Sequence, residues 1–353
     1  MQDILVRPLT NTDIAGVVDL LIAQASRLSL LDIRLEPSSH PEQIAASLAK
    51  RCSDTQNPPL VAQGRDGRIR GYVQPFIYQP PPESALLAFY TSRNGMCHQL
   101  TLPEPADGEV TEVASSLLNA LHLRWQEQHT LADMVSWPSC DPWLEALLLE
   151  NGFSVDSVLA YRSSQPLLPA RSSPTLRLST RLACPGDEEA LVTLHLAQVA
   201  FHFSYTPFVR MVPSLETEFR ESLGHLWEGK RVEDGAPLVV VVEYEGEIVA
   251  MAESYLQTIT RKSPRRLLPP GRYGQLHSVC VRDEMRGKGV GRALVQAVCD
   301  ACVPYSLDGY ALWFKHANPL SGPFWSHLGF LPLWTRYTRL KQWEGAGLLQ
   351  DRG

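Results

Sequence analysis

The sequence lacks the features that define several classes of protein. Its 353 residues carry 32 Lys and Arg against 38 Asp and Glu, and a net charge of −6 offers no basic footprint for nucleic acid. The longest β-like apolar run, Leu238 to Val242, has the length of a strand, and we expect no membrane span of about 18 residues. The first residues show no basic segment followed by an apolar one, so we expect no signal peptide. These absences predict a cytoplasmic protein without a nucleic-acid or membrane partner.

Cysteine is also sparse, and its pattern excludes a disulfide scaffold. The seven cysteines are odd in number and scattered along the chain, as expected for reduced thiols. Cys299 and Cys302 form a C-x-x-C, but no second Cys or His pair at metal-ligand spacing accompanies it. We therefore expect no metal. The 23 Gly and 27 Pro follow no period, which excludes a collagen-like chain.

What the sequence does contain is an internal repeat. A length of 353 residues predicts two domains at about 100–200 residues each. Three landmarks recur in the same order at a nearly constant offset. They are Arg7 with Asp13 and then Arg181 with Asp187 (offset 174), the turn glycines Gly67 and Gly246 (offset 179), and Gly152-Phe153 and Gly329-Phe330 (offset 177).

A segment rich in Ser and Pro lies between the two copies, at 163–174. This composition is typical of a linker. We therefore predict one domain at 1–165, a linker at 166–174 and a second domain at 175–345. The two domains should share one fold, because the landmarks that recur are turn and cap signals of the same kind.

Hydrophobic periodicity in the second copy predicts a mixed α/β domain with a central sheet covered by helices. The predicted elements are a strand at 176–181, helices at 187–201 and 215–227, strands at 238–244, 248–256 and 273–281, a helix ending near 302, a strand at 310–315, a short helix at 322–328 and a final strand pair.

A glycine-rich turn between the predicted strand at 273–281 and the next helix has the properties of an anion site. Its glycines let successive backbone N–H groups approach a ligand, and the helix N-terminus adds about half a positive charge. Its basic side chains add full charges, which suits a pyrophosphate. The spacing differs from the phosphate loop G-x-x-x-x-G-K-[ST] and from the dinucleotide motif G-x-G-x-x-G. The segment is Arg286, Gly287, Lys288, Gly289, Val290, Gly291 and Arg292.

This segment resembles the acetyl-CoA signature [Q/R]-x-x-G-x-[G/A] of the GCN5-related N-acetyltransferase (GNAT) superfamily. The signature maps onto Arg286 to Gly291, and Val281 precedes it at the usual distance. The family's downstream pattern, an Asn followed by a helix that ends in Gly-Phe, is similar to Asn318 and the segment 324–330. The resemblance covers about residues 175–340. It implies two tandem GNAT-like domains, each a central, mostly antiparallel twisted sheet flanked by helices.

The resemblance also implies roles for individual positions. The backbone amides of 286–291 would hold the CoA pyrophosphate, and Asn318 would contact the pantetheine arm. Backbone groups of Val279 and Val281 would pair with pantetheine and polarise the acetyl carbonyl. An amine acceptor would then attack acetyl-CoA directly, with help from proximity and from a base.

Three positions leave the identity of the catalytic acid and base open. Trp325 stands where the family often has a Tyr that protonates the leaving thiolate, and an indole N–H is no useful acid. Gln275 stands where relatives often carry a Glu. His277 lies two residues further on, and strand alternation places it on the face of Gln275 together with Val279 and Val281. Its ordinary pKa near 6.5 suits a base, although a packed strand histidine is the alternative.

Further acceptor-side candidates are weaker. The aromatic segment 201–208 would either line the acceptor mouth or pack in the core. Glu243 and Glu253 are candidates for ordering an amine through water. The basic loop 261–266 enters the strand at the end remote from the glycine turn, about 30 Å away, so we expect a solvated loop or an acceptor-side feature.

The first copy has lost the anion site. Counting from Leu102 as from Val281 places Asp107 at the position of Arg286, Val110 at that of Gly289 and Glu112 at that of Gly291. The acids of this loop would repel a pyrophosphate, so we expect a degenerate domain and one CoA per chain. The sequence thus predicts an acetyl-CoA-dependent N-acetyltransferase acting on a small-molecule or peptide amine. A non-catalytic acyl-CoA-binding or regulatory module is the alternative.

Overall fold

The computed structural model describes residues 4–35, 40–167, 176–206, 209–260 and 267–341. Most of the predicted linker and the basic loop 261–266 lie outside these residues. The domain boundaries derived from the linker therefore stay predictions.

Helices and strands alternate along both halves of the chain. The strands are β1 Leu5–Pro8, β2 Leu60–Gln63, β3 Ile69–Tyr78, β4 Asn94–Thr101, β5 Ala132–Pro138, β6 Ser154–Ser163, β7 Leu178–Leu182, β8 Leu238–Tyr244, β9 Glu247–Ile259, β10 Gly271–Val281, β11 Gly309–Lys315 and β12 Leu331–Leu340. The helices are α1 Ile14–Leu31, α2 Pro41–Cys52, α3 Val110–Glu127, α4 Trp143–Glu150, α5 Glu188–Phe203, α6 Ser214–Trp227, α7 Val290–Cys302 and α8 Ser321–His327.

In the part of the chain that the structure describes, twelve strands join one mixed sheet, which confirms the mixed α/β fold class. Their order is β1-β2-β3-β4-β5-β12-β6-β11-β10-β9-β8-β7. Among the described residues, only the pairs β4–β5 and β10–β11 are parallel. Each parallel pair occupies the same place in its half, so the sheet repeats its own pattern.

The last strand of each half is exchanged with the other half. Strand β12 lies between β5 and β6, and β6 in turn pairs with β11. The expected final strand pair of the second copy is therefore wrong, because β12 is a single strand whose neighbours both come from the first half. Local sequence pattern marks a strand but carries no information on which distant strand it joins.

The repeated landmarks have the same structure in both halves. The Arg7 guanidinium forms a two-pronged ion pair with Asp13, at 2.7 and 2.8 Å, and Arg181 does the same with Asp187, at 2.6 and 2.9 Å. In each half, the pair ties the first strand to the turn that begins the first helix. The positive φ of Gly67, Gly152, Gly246 and Gly329 accounts for glycine at the other landmarks.

Helices cover both faces of the second half of the sheet. Helix α7 buries Leu294, Val295 and Val298 in the core cluster on one face. Helices α5 and α6 bury Leu191 and Phe219 against the opposite face. The two faces can therefore be told apart by which helices they contact.

One stretch departs from the expectation that no segment could span a membrane. Asn11–Leu31 is long and apolar enough to do so by length and composition, with a mean hydropathy of 1.6. In the fold this stretch is a turn followed by α1, which packs Val17, Val18 and Leu21 into a core cluster with β2 and β3. Its buried stripe is that of an amphipathic helix lying on a sheet.

Candidate active site

Strands β10 and β11 diverge and open a cleft in the sheet. They pair in parallel from Tyr273 with Gly309 to Leu276 with Leu312, and both strands then continue without pairing to each other. The unpaired ends leave backbone N–H and C=O groups that need a partner. An extended ligand arm can satisfy them as a strand would.

A β-bulge at His277 marks the point where the strands diverge. Leu276 pairs with Ser254 of β9 and Ser278 pairs with Glu253, so His277 is the extra residue. A bulge reverses the alternation of side chains beyond it. The expectation that His277 shares a face with Val279 and Val281 is therefore wrong.

Contacts show which face each side of the bulge presents. Val279 and Val281 pack against the cluster that contains α7, whereas Cys280 belongs to the cluster with α5 and α6. The His277 ring lies 4.8 Å from the ring of Tyr255, on the face of α5 and α6. Gln275 is directly opposite Tyr255 and lies on that same face. Gln275 and His277 thus do share a face, as expected.

The backbone of Val279 and Val281 points into the cleft. Arg282 N donates to Val249 O of β9 at 2.9 Å, so the backbone groups of Arg282 face β9. Alternation then turns the N–H and C=O groups of 281 and 279 away from β9. These are the groups to which the resemblance assigns pantetheine and the acetyl carbonyl.

The glycine turn leads from β10 into the N-terminus of α7. Gly287 and Gly289 have φ of 73° and 84°, a region that favours glycine. Gly289 caps α7 without any side-chain hydrogen bond, so the first helical N–H groups stay available to an anion. A Cβ at Gly291 would lie 3.1 Å from the Phe324 ring, so glycine here permits α8 to pack closely.

The three cations of the turn differ in their partners. Arg286 is held by Asp283 at 2.7 Å and lies over the Phe201 ring at 4.3 Å, so this side chain braces the turn. Lys288 and Arg292 have no ion-pair partner among the described residues. They are the charges that remain for a pyrophosphate.

Asn318 and Trp325 lie next to the cleft in different roles. The Asn318 Oδ1 accepts a hydrogen bond from Leu320 N at 3.0 Å, and this bond holds the turn before α8. The N–H groups of the Asn318 amide can therefore donate to a ligand. Trp325 is buried and stacks edge-on against Phe324 and Phe330, at 4.7 and 5.2 Å. Trp325 is thus a core residue and offers the cleft no acid in place of a tyrosine.

Beside His277 lies a buried polar cluster that the sequence reasoning did not assemble. The Tyr255 hydroxyl donates to Glu253 at 2.7 Å and lies 2.7 Å from the Ser222 hydroxyl of α6. Burial raises the pKa of Glu253, and burial together with Glu253 raises that of Tyr255. The sequence offers Glu253 as a candidate, but its contact with α6 carries no signal in the local sequence.

His277 itself is accessible from the cleft yet surrounded by protein atoms. This desolvation lowers the pKa of His277 below its usual 6.5. The imidazole is therefore neutral at pH 7 and has a free lone pair to accept a proton. Desolvation likewise lowers the pKa of His202, on α5, to about 4.

In the first half, a side chain occupies the matching backbone edge. The Gln24 Nε2 of α1 donates to Leu100 O at 3.0 Å, and Leu102 N donates to Gln24 Oε1 at 2.7 Å. The repeat offset of 179 aligns Leu100 and Leu102 with Val279 and Val281. The edge that would bind an extended arm is therefore closed by the protein itself.

The matching glutamine of the second half leaves its edge open. Gln198, at an offset of 174 from Gln24, accepts a hydrogen bond from the Ser278 hydroxyl instead. Among the described residues, no hydrogen bond joins its carboxamide to the backbone of 279–281. The two halves thus use one repeated residue in opposite ways.

The turn of the first half has an acid at its helix start, with a correction to the residue count. Helix α3 begins at Val110 as α7 begins at Val290, so Glu109 and not Val110 stands at the place of Gly289. The count from the strand is one residue out because the loop of the first half is one residue shorter. A cavity of about 170 Å³ beside this loop is lined by Glu104 and Asp107 and also by Arg27 and Arg70, which form ion pairs with Asp141 and Asp66.

Residues 203–330 match the model of the Acetyltransferase (GNAT) family. This stretch thus carries the sequence pattern of a GNAT acetyltransferase domain. It contains the diverging strands, the glycine turn and α8. No curated protein matches the sequence.

Solved structures extend the likeness of fold to nearly the whole chain. A GCN5-related N-acetyltransferase from Sphaerobacter thermophilus is 14% identical, with a TM-score of 0.55, and the match covers 96% of this chain and 95% of that one. A GCN5-related glucosamine N-acetyltransferase region of a fungal multi-domain β-N-acetylglucosaminidase is 14% identical, with a TM-score of 0.52, covering 96% and 38%. At such identity the likeness concerns fold alone. It confirms the expected GNAT-like fold in both halves.

Proposed function

We propose that this GNAT protein is an N-acetyltransferase that transfers an acetyl group from acetyl-CoA to an amine, in the cleft of its second half. The observation that carries the proposal is the combination of an open β10 edge with an uncapped, glycine-turned N-terminus of α7. The β10 edge would bind an extended arm, and the N-terminus of α7 would bind an anion. The two features follow each other in the order in which pantetheine and pyrophosphate occur in CoA. The family match at 203–330 supports the same reaction class.

The residues present suit acetyl-CoA as co-substrate. The free N–H groups at the start of α7, with Lys288 and Arg292, would bind the pyrophosphate. Asn318 would donate its amide N–H to the arm, and the N–H of Val281 or Val279 would polarise the acetyl carbonyl. The amine nitrogen then forms the new C–N bond while the C–S bond breaks, and CoA leaves as the thiolate.

Two protons move in this reaction, and the cleft offers groups for the first. His277, neutral at pH 7, would take the proton of the attacking amine. Glu253 and Tyr255 lie next to His277 and could stabilise the resulting imidazolium. Because Trp325 is buried and has no acidic proton, the thiolate would be protonated from water or by the ammonium that forms on attack.

The proposal is tested by the release of CoA from acetyl-CoA with a panel of amines, with acetyl-CoA binding measured by calorimetry. We expect saturable turnover with at least one amine. Replacing both Lys288 and Arg292 by Glu should weaken binding at least about tenfold, since two attractive charges become repulsive. The matched control is Lys50→Glu, a charge reversal at an exposed lysine of α2, which should leave binding unchanged.

The alternative, an acyl-CoA-binding or regulatory module, is favoured by one observation, the buried Trp325 in place of an acid. Tight binding of acetyl-CoA without turnover of any amine would support it. Absence of binding would contradict both functions. The proposal also includes a cytoplasmic location, no nucleic-acid or membrane partner and no metal. All seven cysteines lie in the described residues, and none of them forms a disulfide there.

A further inference from the structure

A row of polar side chains crosses the middle of the sheet next to the cleft. Lys315 of β11 pairs with Ser157 of β6, and Ser157 pairs with Arg336 of β12. Directly opposite residues point to the same face of a sheet. The exchanged strands therefore bring two basic side chains to one face, beside the unpaired end of β11.

The Arg336 side chain reaches back toward the point where the cleft opens. Its guanidinium lies 4.3 Å from the centre of the Trp313 ring and donates to the Tyr90 hydroxyl at 3.1 Å. Trp313 follows Leu312, the last β11 residue paired with β10. The positive charge is thus held beside the point where β10 and β11 stop pairing, at the inner end of the cleft.

The two cations of this row differ in charge balance. Lys315 is neutralised by the buried Asp156 at 2.8 Å. Arg336 has no acidic partner within the described part of the chain, where its contacts are Tyr90 and Trp313. One N–H group of Arg336 donates to Tyr90. The other guanidinium nitrogens are not enclosed by protein atoms, so their N–H groups can donate to a ligand.

A positioned guanidinium without an acid is a site for an anion with planar oxygens. Its parallel N–H groups match the two oxygens of a carboxylate, and the Trp313 ring fixes the plane. One unpaired positive charge suits one negative charge. Since the charge lies at the inner end of the cleft in which the amine would attack, an acceptor with few bonds between its anion and its amine suits the site.

We infer that the acceptor is an amino acid, whose carboxylate Arg336 binds and whose amine attacks acetyl-CoA. This inference rests on the proposed N-acetyltransferase function and names its substrate class. Tyr90 lies between β3 and β4, so the first half would contribute to the acceptor site although it binds no CoA itself. Arg336 is a binding residue for the acceptor and takes no part in proton transfer.

The test compares the proteinogenic amino acids with their own carboxamides as acceptors for the full-length protein. We expect at least one amino acid to be acetylated with kcat/KM at least about 100-fold above that of its amide, since the amide keeps the amine and loses the charge. Arg336→Gln should remove most of this preference through KM, and Arg336→Lys should restore part of it. The affinity for acetyl-CoA should not change in either variant, which also shows that each is folded.

The control is Arg272→Gln, at an exposed arginine on the remote end of β10, which should preserve the preference. If amides or simple amines are acetylated as well as amino acids, or if Arg336→Gln lowers both alike, the inference is wrong while the proposed function stands. If acetyl-CoA binds and no amine of any kind is turned over, the proposed function fails, and this inference with it.

Discussion

Single residues in the cleft owe their chemistry to their surroundings. His277 is an ordinary imidazole, but its place in a bulge beside Tyr255 surrounds the ring with protein atoms, and this partial desolvation lowers its pKa. Burial has the opposite effect on a carboxyl group, and it raises the pKa of Glu253. A neutral base beside a buried carboxyl is suited to taking a proton from an amine near pH 7.

The role of His277 predicts a specific pH dependence. His277→Gln should lower kcat by about 10²–10⁴-fold, the usual contribution of a general base. Because its folded pKa is below 6.5, the base form persists to lower pH, and the acid limb of wild-type kcat should lie below about pH 6.5. The variant should lose this limb.

The comparison variant is His225→Gln, an exposed histidine of α6, which should keep the wild-type profile. Steady-state kinetics between about pH 5 and 9 measure both. Full kcat in His277→Gln throughout that range would show that His277 is a packed strand residue and that the base lies elsewhere.

A second prediction concerns the repeated Arg–Asp pairs. Hydrogen bonds from Arg7 lower the pKa of Asp13 to about 2, and Arg181 does the same for Asp187. Asp13→Asn should lower the free energy of unfolding by about 2 kcal/mol at pH 7, the scale of a charged hydrogen-bond pair. Asp19→Asn, at an exposed site on α1, is the control and should have little effect.

The sign of the pH effect follows from the direction of the shift. The folded pKa of Asp13 lies below the ordinary 3.8, so its contribution is complete above about pH 4 and is lost as the pH falls toward 2. Urea unfolding of wild type and Asp13→Asn should therefore differ at pH 7 and converge near pH 2. A difference that persists at the lower pH would assign the loss to packing instead of charge.

At the scale of elements, the exchange of last strands makes each half incomplete alone. Without the first half, β12 lacks both of its neighbours, and β11 loses its pairing with β6. These edges would leave backbone groups unpaired and ready to bind another chain. Elements that are distant in sequence thus determine whether the second half can stand by itself.

This arrangement predicts the behaviour of a fragment. Residues 175–353 expressed alone should not form a stable monomer, and light scattering after gel filtration should show association or aggregates. Coexpression with residues 1–174 should restore a complex that migrates like the intact chain. A monomeric fragment with a cooperative unfolding transition would show that the exchanged strands are dispensable.

At the scale of the whole molecule, the two halves share a fold but differ at the strand edge and the turn where CoA would bind. Both halves have a diverging parallel strand pair, and the strand that precedes the turn carries a bulge in each. Yet Gln24 closes the backbone edge of the first half, and Glu109 stands at the helix start where the second half has Gly289. A carboxylate at that place repels an anion.

The asymmetry predicts one CoA site per chain. Calorimetric titration of the full chain with acetyl-CoA should give a stoichiometry near one. The double variant with Lys288 and Arg292 replaced by Glu should lose binding without leaving a second class of sites. Gln24→Ala should also stay near one, because Glu109 and Glu112 still repel the pyrophosphate. A stoichiometry near two, in wild type or in Gln24→Ala, would contradict this.

The sequence alone determined those features that depend on neighbouring residues. The glycine turn, the hairpins at Gly67 and Gly246 and the alternation of strands and helices all follow from local conformational preference and hydrophobic period, and the structure confirms them. The candidate anion site could be predicted in this way because it is one continuous segment, from Arg286 to Arg292.

Only the tertiary structure decided what depends on contacts between distant segments. The bulge at His277 reversed the predicted face of Val279 and Val281, since one extra residue shifts the phase of all that follow. The exchange of β6 and β12 brought Arg336 and Tyr90 to the cleft from separate parts of the chain. Strand pairing of this kind depends on the whole hydrophobic core and the sheet register, and no window of sequence contains that information.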